Sequence, residues 1–502
     1  MKNLYDVAIV GAGTAGCVLA SRLSEDPARQ VVLFEAGPDY PPGTLPPDLA
    51  DGIHGTSTAS HDWGLHGTGV DGGPPLALPQ GRVTGGSSAV NATFALRGHP
   101  ADYDGWALHG WKFEDVLPSF LRLEHDLDFG SAPYHGTDGP VPIRRYRGDE
   151  CSELTLAMEG AIASVGIPRI PDHNAPGAVG VSGLPVNCVR GTRVSTALAY
   201  LDPVRSRPNL TIRADSPVAE VLVGGGRASG VRTTDGQITA ADEVIVCAGA
   251  YHSPALLIRS GIGPAGDITA LGRSVAVELP GVGHNLADHP WVAIELPCLE
   301  PQGDPPIFQV VATARSSRSS SADPPDLQFM VCGPYRLGDG YRCLLAAALL
   351  KPVSRGQVRL LTLDPVSGPA IDLGYFRDPV DIDRLAEGLQ IAKAAVADPD
   401  LARLTRGPRP ATRPELVGDD AVRDWIKATA TTYHHPVGTC AMGTDPRAGA
   451  VVDTAGWVYG VPGLSVVDAS ILPGPLSANT NIPTIMAAEH VAARRRGDGA
   501  GL

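Results

Sequence analysis

The chain has 502 residues, 43% apolar and 19% charged, which predicts a soluble globular protein with room for two domains. A net charge of −14, with no cationic cluster beyond residues 494–496 (RRR), argues against nucleic acid or an anionic membrane surface as partner. No apolar run approaches the ~18 residues that a membrane span needs, so no membrane span is expected.

The opening residues, MKNLYDVAIVGAG, run straight into a strand pattern, with no apolar leader segment and no small-residue cleavage site. Eight cysteines show neither C-x-x-C nor Cys/His ligand spacing, and together these features predict a cytoplasmic protein with reduced thiols. Residues 6–10 (DVAIV) read as a buried strand and residues 14–24 as a helix. The turn between them is a full G-x-G-x-x-G: Gly11, Ala12, Gly13, Thr14, Ala15 and Gly16. Such glycines permit a tight turn, close approach of backbone to a pyrophosphate, and close helix–strand packing. The next strand, residues 31–35 (VVLFE), ends in Glu35, 24 residues after Gly11, the distance at which a carboxylate accepts from an adenosine ribose. NAD and FAD both fit this signal.

Residues 81–98 (GRVTGGSSAVNATFALRG) hold a second glycine cluster, rich in backbone donors and poor in side-chain bulk. Residues 244–264 (VIVCAGAYHSPALLIRSGIGP) read as a buried strand, a small-residue turn, a helix and a glycine turn. A strand returning to the nucleotide unit halfway along the chain implies a discontinuous domain, and no second strand–GxGxxG–helix unit is present for a separate NAD. One flavin is the economical reading. Between and after these motifs, residues 291–296, 307–314, 327–332, 343–350 and 357–362 read as strands. A helix starting at Asp381 keeps Ile382, Leu385, Leu389, Ala392 and Val396 on one face. Residues 316–321 (SSRSSS) read as a flexible surface loop.

The last informative stretch is TTYHHPVGTCAMG (residues 431–443), then VVDAS (466–470) and SANTNIPTIM (477–486). It supplies an imidazole, His435, and a carboxamide, Asn479. Flavin-linked alcohol oxidation needs a base for the hydroxyl proton and a carbinol carbon held near the hydride acceptor. His435 is the expected base, with a pKa near working pH, and Asn479 the group that orients the alkoxide-like oxygen. His434 is read as structural or as a pocket wall. His61, His66, His284 and His289 lack metal-ligand spacing and are read as loop or structural residues, with no metal expected.

These motifs, in this order over nearly the whole chain, resemble the glucose-methanol-choline (GMC) oxidoreductases, a family of FAD enzymes. GRVTGGSSAVN and GAYHSPALL…SGIG match two family signatures, PGVGHNLADH a third element, and HPVGTCAMG, VVDAS and NTNIPT complete the set. The fold implied is α/β: a discontinuous Rossmann-type FAD-binding domain (1–100, 206–290, 431–502) and a substrate-binding domain (101–205, 291–430) with an antiparallel sheet flanked by helices. The resemblance implies that Gly11, Gly13, Thr14, Ala15 and Gly16 hold the pyrophosphate and Glu35, with Ala36, the ribose. It places Arg82, Gly85, Gly86, Ser87, Asn91 and Ala92 along the flavin, the last two near its reactive edge. The backbone of Val218 would meet adenine. Ala248, Asp468 and Ala469 would lie at the phosphate and ribityl region, and Thr480, Asn481 and Pro483 at the pyrimidine end.

Two departures from relatives are informative. Val90 stands where some members carry the histidine that bonds FAD, so FAD is expected to be noncovalent. Ala92 lacks a hydroxyl found in some choline-oxidising members. Local pattern, including residues 351–360 (KPVSRGQVRL), is most similar to choline dehydrogenase-like members and to those that oxidise primary alcohols on small rings, such as hydroxymethylfurfural or pyridoxine. Residues 344–348 (LLAAA) stand where those relatives carry bulkier groups, which would widen the pocket if the strand faces the flavin. The expected substrate is a small-molecule primary or secondary alcohol, oxidised by hydride transfer to flavin N5. The acceptor is oxygen or another carrier, a quinone or a peptide-derived one. A hydroxynitrile-lyase type of reaction, with FAD as filler, is the alternative.

Overall fold

The computed structural model describes residues 5–405 and 419–496, so the reading of residues 1–4 lies outside it. The first predicted strand, turn and helix form as Tyr5–Val10 and Thr14–Leu23, followed by the strand Val31–Phe34. All four residues of Val31–Phe34 are buried, as expected of a parallel strand covered on both faces. These strands belong to a seven-stranded sheet, where Leu210–Arg213, Val31–Phe34, Tyr5–Val10 and Ile238–Val246 lie side by side in parallel. Leu464–Val466 adds a further parallel strand beside Ile238–Val246. Val218–Gly224 and Arg227–Thr233 extend the sheet as an antiparallel meander. Strands far apart in the chain therefore meet in one sheet, as the return of residues 244–264 to the nucleotide unit implies.

The second sheet has six antiparallel strands in the order Thr431–Thr432, Pro290–Cys298, Gly340–Leu349, Leu327–Leu337, Val310–Ala314 and Val181–Gly183. Successive side chains on a strand point to opposite faces, and here the two faces serve different ends. Val292, Ile294, Leu296, Phe329, Val331, Leu345 and Ala347 pack into a core with the helices Glu153–Ser164, Pro379–Ala395 and Asp419–Thr429. Trp291, Ala293, Met330, Leu344, Ala346 and Ala348 turn the other way, toward Tyr433, Ala92 and Phe94. Each fully buried aliphatic side chain of this kind contributes roughly 1.5–3 kcal/mol, so the first face holds the sheet to its helices. The second face is where sheet and nucleotide unit meet.

The helix predicted from Asp381 starts at Pro379, because Asp378 caps it by accepting from Val380 N at 2.9 Å. Asp381 instead turns inward and accepts from Val353 N and Ser354 N. The predicted stripe of Ile382, Leu385, Leu389, Ala392 and Val396 is buried throughout. The serine-rich loop is not free at its start: Ser316 is buried and its N–H and hydroxyl both donate to Asp326. Tyr103, Trp111, Phe120 and Leu123 share the core of the seven-stranded sheet. Among the described residues, no helix is long and apolar enough to cross a membrane.

Candidate active site

The first glycine turn is shaped by backbone contacts. Gly11 has φ +100°, and a Cβ there would stand 2.5 Å from the carbonyl oxygen of Cys247. A Cβ on Gly16 would meet the Gly11 carbonyl oxygen at 1.9 Å. Gly13 differs: a Cβ on it would find nothing nearer than 3.9 Å, so this glycine keeps open the space in front of the turn. The helix Thr14–Leu23 begins with no side-chain cap and no acidic residue in its first turn, leaving the N–H groups of Thr14, Ala15 and Gly16 available to an anion.

Around this turn the structure gathers residues from distant parts of the chain. Gly85 N donates to Ala12 O at 2.7 Å, and a Cβ on Gly86 would stand 2.7 Å from Gly13 Cα, so the two glycine loops lie against each other. Glu35 accepts from Ala12 N and Gly37 N, each at 2.9 Å, which fixes its carboxylate beside the turn. Burial pushes its pKa up to about 7, against the pull of these amides. Arg82 donates to Ala36 O at 3.3 Å. Ser216 N donates to Glu35 O at 2.8 Å, which brings the start of the Val218–Gly224 strand alongside. From the C-terminal side, Asn481 opens the helix Asn481–Arg496, and its Oδ1 accepts from Thr14 Oγ1 at 3.4 Å. The Nδ2 of Asn481 is buried without a partner. Thr480 and Pro483 stand at the same helix start, where Thr480 O accepts from Thr484 N.

Some predicted cofactor residues spend their side chains within the chain. Ser87 Oγ donates to Gln80 Oε1 at 3.0 Å. Asn91 Oδ1 accepts from Thr93 N at 2.9 Å, while Ala92 is half-buried at the edge of the second sheet. Asp468 accepts from Gly249 N, Ser253 Oγ, Ser470 N and Ser470 Oγ, so its carboxylate splints the turn after Ala248 to the turn at Ala469. What residues 468–469 offer a ligand is backbone. With the uncapped start of the Thr14–Leu23 helix, an open space at Gly13 and the orphaned Asn481 amide, the turn fits a dinucleotide.

His435 and Asn479 meet, as the spacing alone could not show. Both are buried, 8% exposed, and Asn479 Nδ2 stands 3.1 Å from His435 Nε2. The amide is the donor there, so Nε2 carries the lone pair. On the other side of the ring, His435 Nδ1 lies 3.0 Å from His289 Nδ1. Two Nδ1 atoms at that distance share one proton, and with Nε2 an acceptor that proton sits on His435 Nδ1. The loop is held by Asp288, which accepts from His435 N at 2.8 Å, Thr432 Oγ1 at 2.6 Å and Tyr375 OH at 2.5 Å. His434 adopts φ +64° with its side chain exposed, and this left-handed residue turns His435 back toward Asn479. The Tyr433 ring packs 4.4 Å from the His435 ring, and its hydroxyl donates to Met330 Sδ at 3.4 Å. Of residues 344–348, Leu344, Ala346 and Ala348 face this side.

One expectation changes. His435 was expected to titrate near working pH; burial, with His289 and His434 close by, holds its pKa well below 6.5, so the ring is neutral. His289, which the sequence reads as a loop or structural residue, is buried and stands as the partner of His435, its own pKa lowered by burial to about 4. Its signal in the sequence was position, next to a strand that pairs Pro290 with Thr432. Another cluster was not foreseen: ligand atoms of Glu124, Asp126 and His135 lie within 4.8 Å of one another. Arg97 pairs with Glu124, and Arg145 bonds Asp126 at 2.5 Å and Asp172 at 2.6 Å, so buried cations match these acids.

A family model described as GMC oxidoreductase matches residues 5–291, and a second of the same description matches residues 352–488. Among curated proteins, a 5-(hydroxymethyl)furfural oxidase of Methylovorus sp. is 38% identical, over 98% of each chain. An oxygen-dependent choline dehydrogenase of Paraburkholderia phymatum is 36% identical, over 98% of this chain and 92% of the relative. Among solved structures, pyridoxine 4-oxidase from Mesorbium loti superposes with a TM-score of 0.89 at 31% identity, covering 98% of this chain and 99% of that one.

Proposed function

The chain belongs to the GMC oxidoreductase family, and from that premise we propose that it oxidises a primary or secondary alcohol to the carbonyl compound, with noncovalent FAD as hydride acceptor and His435 as general base. The single observation that carries the reading is the His289–His435–Asn479 row, in which an unprotonated Nε2 faces the Asn479 amide at 3.1 Å. FAD, when bound, supplies the acceptor for the hydride.

The rest follows from the chain's own groups. In the free site Asn479 Nδ2 donates to the one lone pair of His435 Nε2; a substrate hydroxyl takes over that contact, its oxygen accepting from the amide and its O–H donating to Nε2. The substrate hydroxyl then gives its proton to Nε2 as the hydride leaves carbon. His435 becomes an imidazolium whose Nδ1–H already donates to His289, so no ring must turn. Tyr433, Trp291 and Leu344 wall the space and keep water out. Gly11, Gly13, Thr14, Ala15 and Gly16 would hold the pyrophosphate, Glu35 the ribose, and the start of the Asn481–Arg496 helix the pyrimidine end. Val90 is buried and aliphatic, which supports the absence of a covalent bond. The relatives are named for hydroxymethylfurfural, choline and pyridoxine, which supports an alcohol and leaves its identity to experiment.

The test is anaerobic mixing of the FAD-loaded protein with a panel of primary alcohols, followed at the flavin band near ~450 nm. Bleaching by one class supports the reading, and admitting air then separates an oxidase from an enzyme that needs a quinone or other carrier. No bleaching by any alcohol would refute alcohol oxidation and favour the lyase chemistry.

A further inference from the structure

Asn479 lies in an irregular segment, residues 472–480, between the turn Ala469–Ile471 and the helix Asn481–Arg496. Such a segment has no ladder of backbone hydrogen bonds, so its position depends on groups supplied from elsewhere in the chain. Asp102 is one of them. Its side chain is fully buried, and its Oδ2 accepts from Ser477 N and from His99 N, each at 2.9 Å. Oδ1 accepts from Lys351 Nζ at 2.7 Å and lies 3.1 Å from Ser477 Oγ. Lys351 Nζ also donates to Pro475 O, and Ser477 Oγ donates to Pro325 O at 2.7 Å. Residues 475 and 477, just before Asn479, are thus both tethered to one buried ion pair.

The same pair stands close to the other end of the histidine row. Lys351 follows the strand Gly340–Leu349, which pairs Ala348 with Trp291, two residues after His289. Burial is the larger cause of the lowered His289 pKa, and the two charges act on it in opposite directions: Asp102 raises it and Lys351 lowers it. A buried carboxylate alone would favour a proton on that histidine, and the ammonium offsets it. Neither side chain hydrogen-bonds to Asn479 or His435, so what the pair does for Asn479 it does through the backbone of residues 475–477.

We infer that Asp102, bridged to Lys351, is a positioning residue for the reaction: a strut that sets the backbone of residues 475–477 so that the Asn479 amide meets His435 Nε2. The inference rests on the alcohol-oxidation reading. An amide that must hold a substrate oxygen beside the base tolerates little play, because a displacement of about 1 Å costs up to about 10²-fold in rate. Asp102 suits the task because each of its oxygens serves a different tether, Oδ2 the Ser477 amide and Oδ1 the ammonium that holds Pro475 O.

The experiment uses the FAD-loaded protein, its D102N and N479A variants, and the double variant. The isosteric amide of D102N has one acceptor oxygen, so it can hold Ser477 N or Lys351 Nζ but not both, and one tether is lost. Lys351 is a quarter exposed and can turn its ammonium to solvent, so D102N should fold, which its Tm checks. Anaerobic flavin reduction at saturating alcohol should slow by about 10- to 10²-fold in D102N. With N479A already present, D102N should cost less than about two-fold, because nothing is left to position. The same fold loss in both backgrounds would place the effect elsewhere, at the charge felt by His289 or in the fold at large, and overturn the strut; so would an unaltered rate in D102N. A crystal structure of D102N reads the strut without any substrate. The distance from Asn479 Nδ2 to His435 Nε2, 3.1 Å in the wild type, should lengthen beyond hydrogen-bond reach, about 3.5 Å; an unmoved Asn479 would overturn the strut. If no alcohol reduces the flavin in any variant while Asn479 moves in D102N, the strut stands and alcohol oxidation fails.

Discussion

Replacing His289 by alanine tests the proton arrangement most directly. His435 Nδ1–H now has His289 Nδ1 as acceptor at 3.0 Å, in a buried site where neither imidazole is charged. Removing the acceptor leaves a buried donor unsatisfied, a penalty of about 1–3 kcal/mol. His435 escapes that penalty by moving its proton to Nε2, where it can donate to the oxygen of a turned Asn479 amide. That tautomer has no lone pair for a substrate hydroxyl. If the base-competent tautomer falls by the full penalty, the rate of flavin reduction by a saturating alcohol should drop about 5- to 150-fold, at 1.4 kcal/mol per tenfold. The assay is anaerobic stopped-flow reduction at the flavin band, with FAD content measured in parallel. His289→Asn supplies the control, because its amide oxygen can stand where Nδ1 stood and accept the same proton. Recovery in H289N with loss in H289A identifies a hydrogen-bond acceptor; wild-type reduction in H289A would refute the proton assignment.

Three further outcomes follow from other contacts. His435→Ala should keep FAD bound yet slow flavin reduction by about 10²-fold or more, and in the wild type the rate should stay level as pH falls through 6.5, because burial holds the base deprotonated; an inflection at or above 6.5 would contradict that environment. Gly13→Ala should leave the apo protein as stable as the wild type while weakening FAD binding, since its Cβ meets nothing within 3.9 Å, whereas Gly16→Ala, with a contact of 1.9 Å, should fail in both thermal unfolding and FAD titration. Acid should destabilise the apo chain below pH 6.5: His173, His252, His289 and His490 are each lowered by burial to about 4, so the unfolded chain takes up protons there that the folded chain refuses. Glu35, raised by burial to about 7, and Asp468, also raised, work in the opposite direction and cancel part of this. With His435 included, the five histidines outnumber the two acids, so stability should fall as pH drops below 6.5, read as a decreasing Tm; a level Tm down to pH 5 would contradict the buried neutral histidines.

The parts of the fold that were legible are those whose cause is local. A glycine turn between an apolar strand and a helix announces itself, because Gly11 and Gly16 are required by contacts within about one turn of backbone and with the adjoining strand. The Ile382–Val396 stripe was legible for the same reason, since helical period and burial coincide. Helix starts were less so. Asp378 and Asp381 both look like caps, and only the packing of residues 353–354 against the helix decides that Asp381 is drawn away from that task.

The site shows why the rest stayed hidden. His289 and His435 are brought together by one short pairing, Pro290 with Thr432 and Trp291 with Thr431. A two-residue strand carries almost no period, so residues 431–432 could not be recognised as a partner for residues 290–298. Asp288 shows the same limit. As one acid in GVGHNLADH it is indistinguishable from a loop residue, yet it accepts from Thr432, His435 and Tyr375, three positions that sequence order leaves far from it. Its carboxylate is what fixes the backbone of His435, and so the direction of Nε2. The depressed pKa of His435 follows from the same geometry: the sheet face of Trp291, Met330 and Leu344 that closes the site also removes the water that would stabilise a charge. The residue type could be read from the sequence, but its proton affinity belongs to the enclosure.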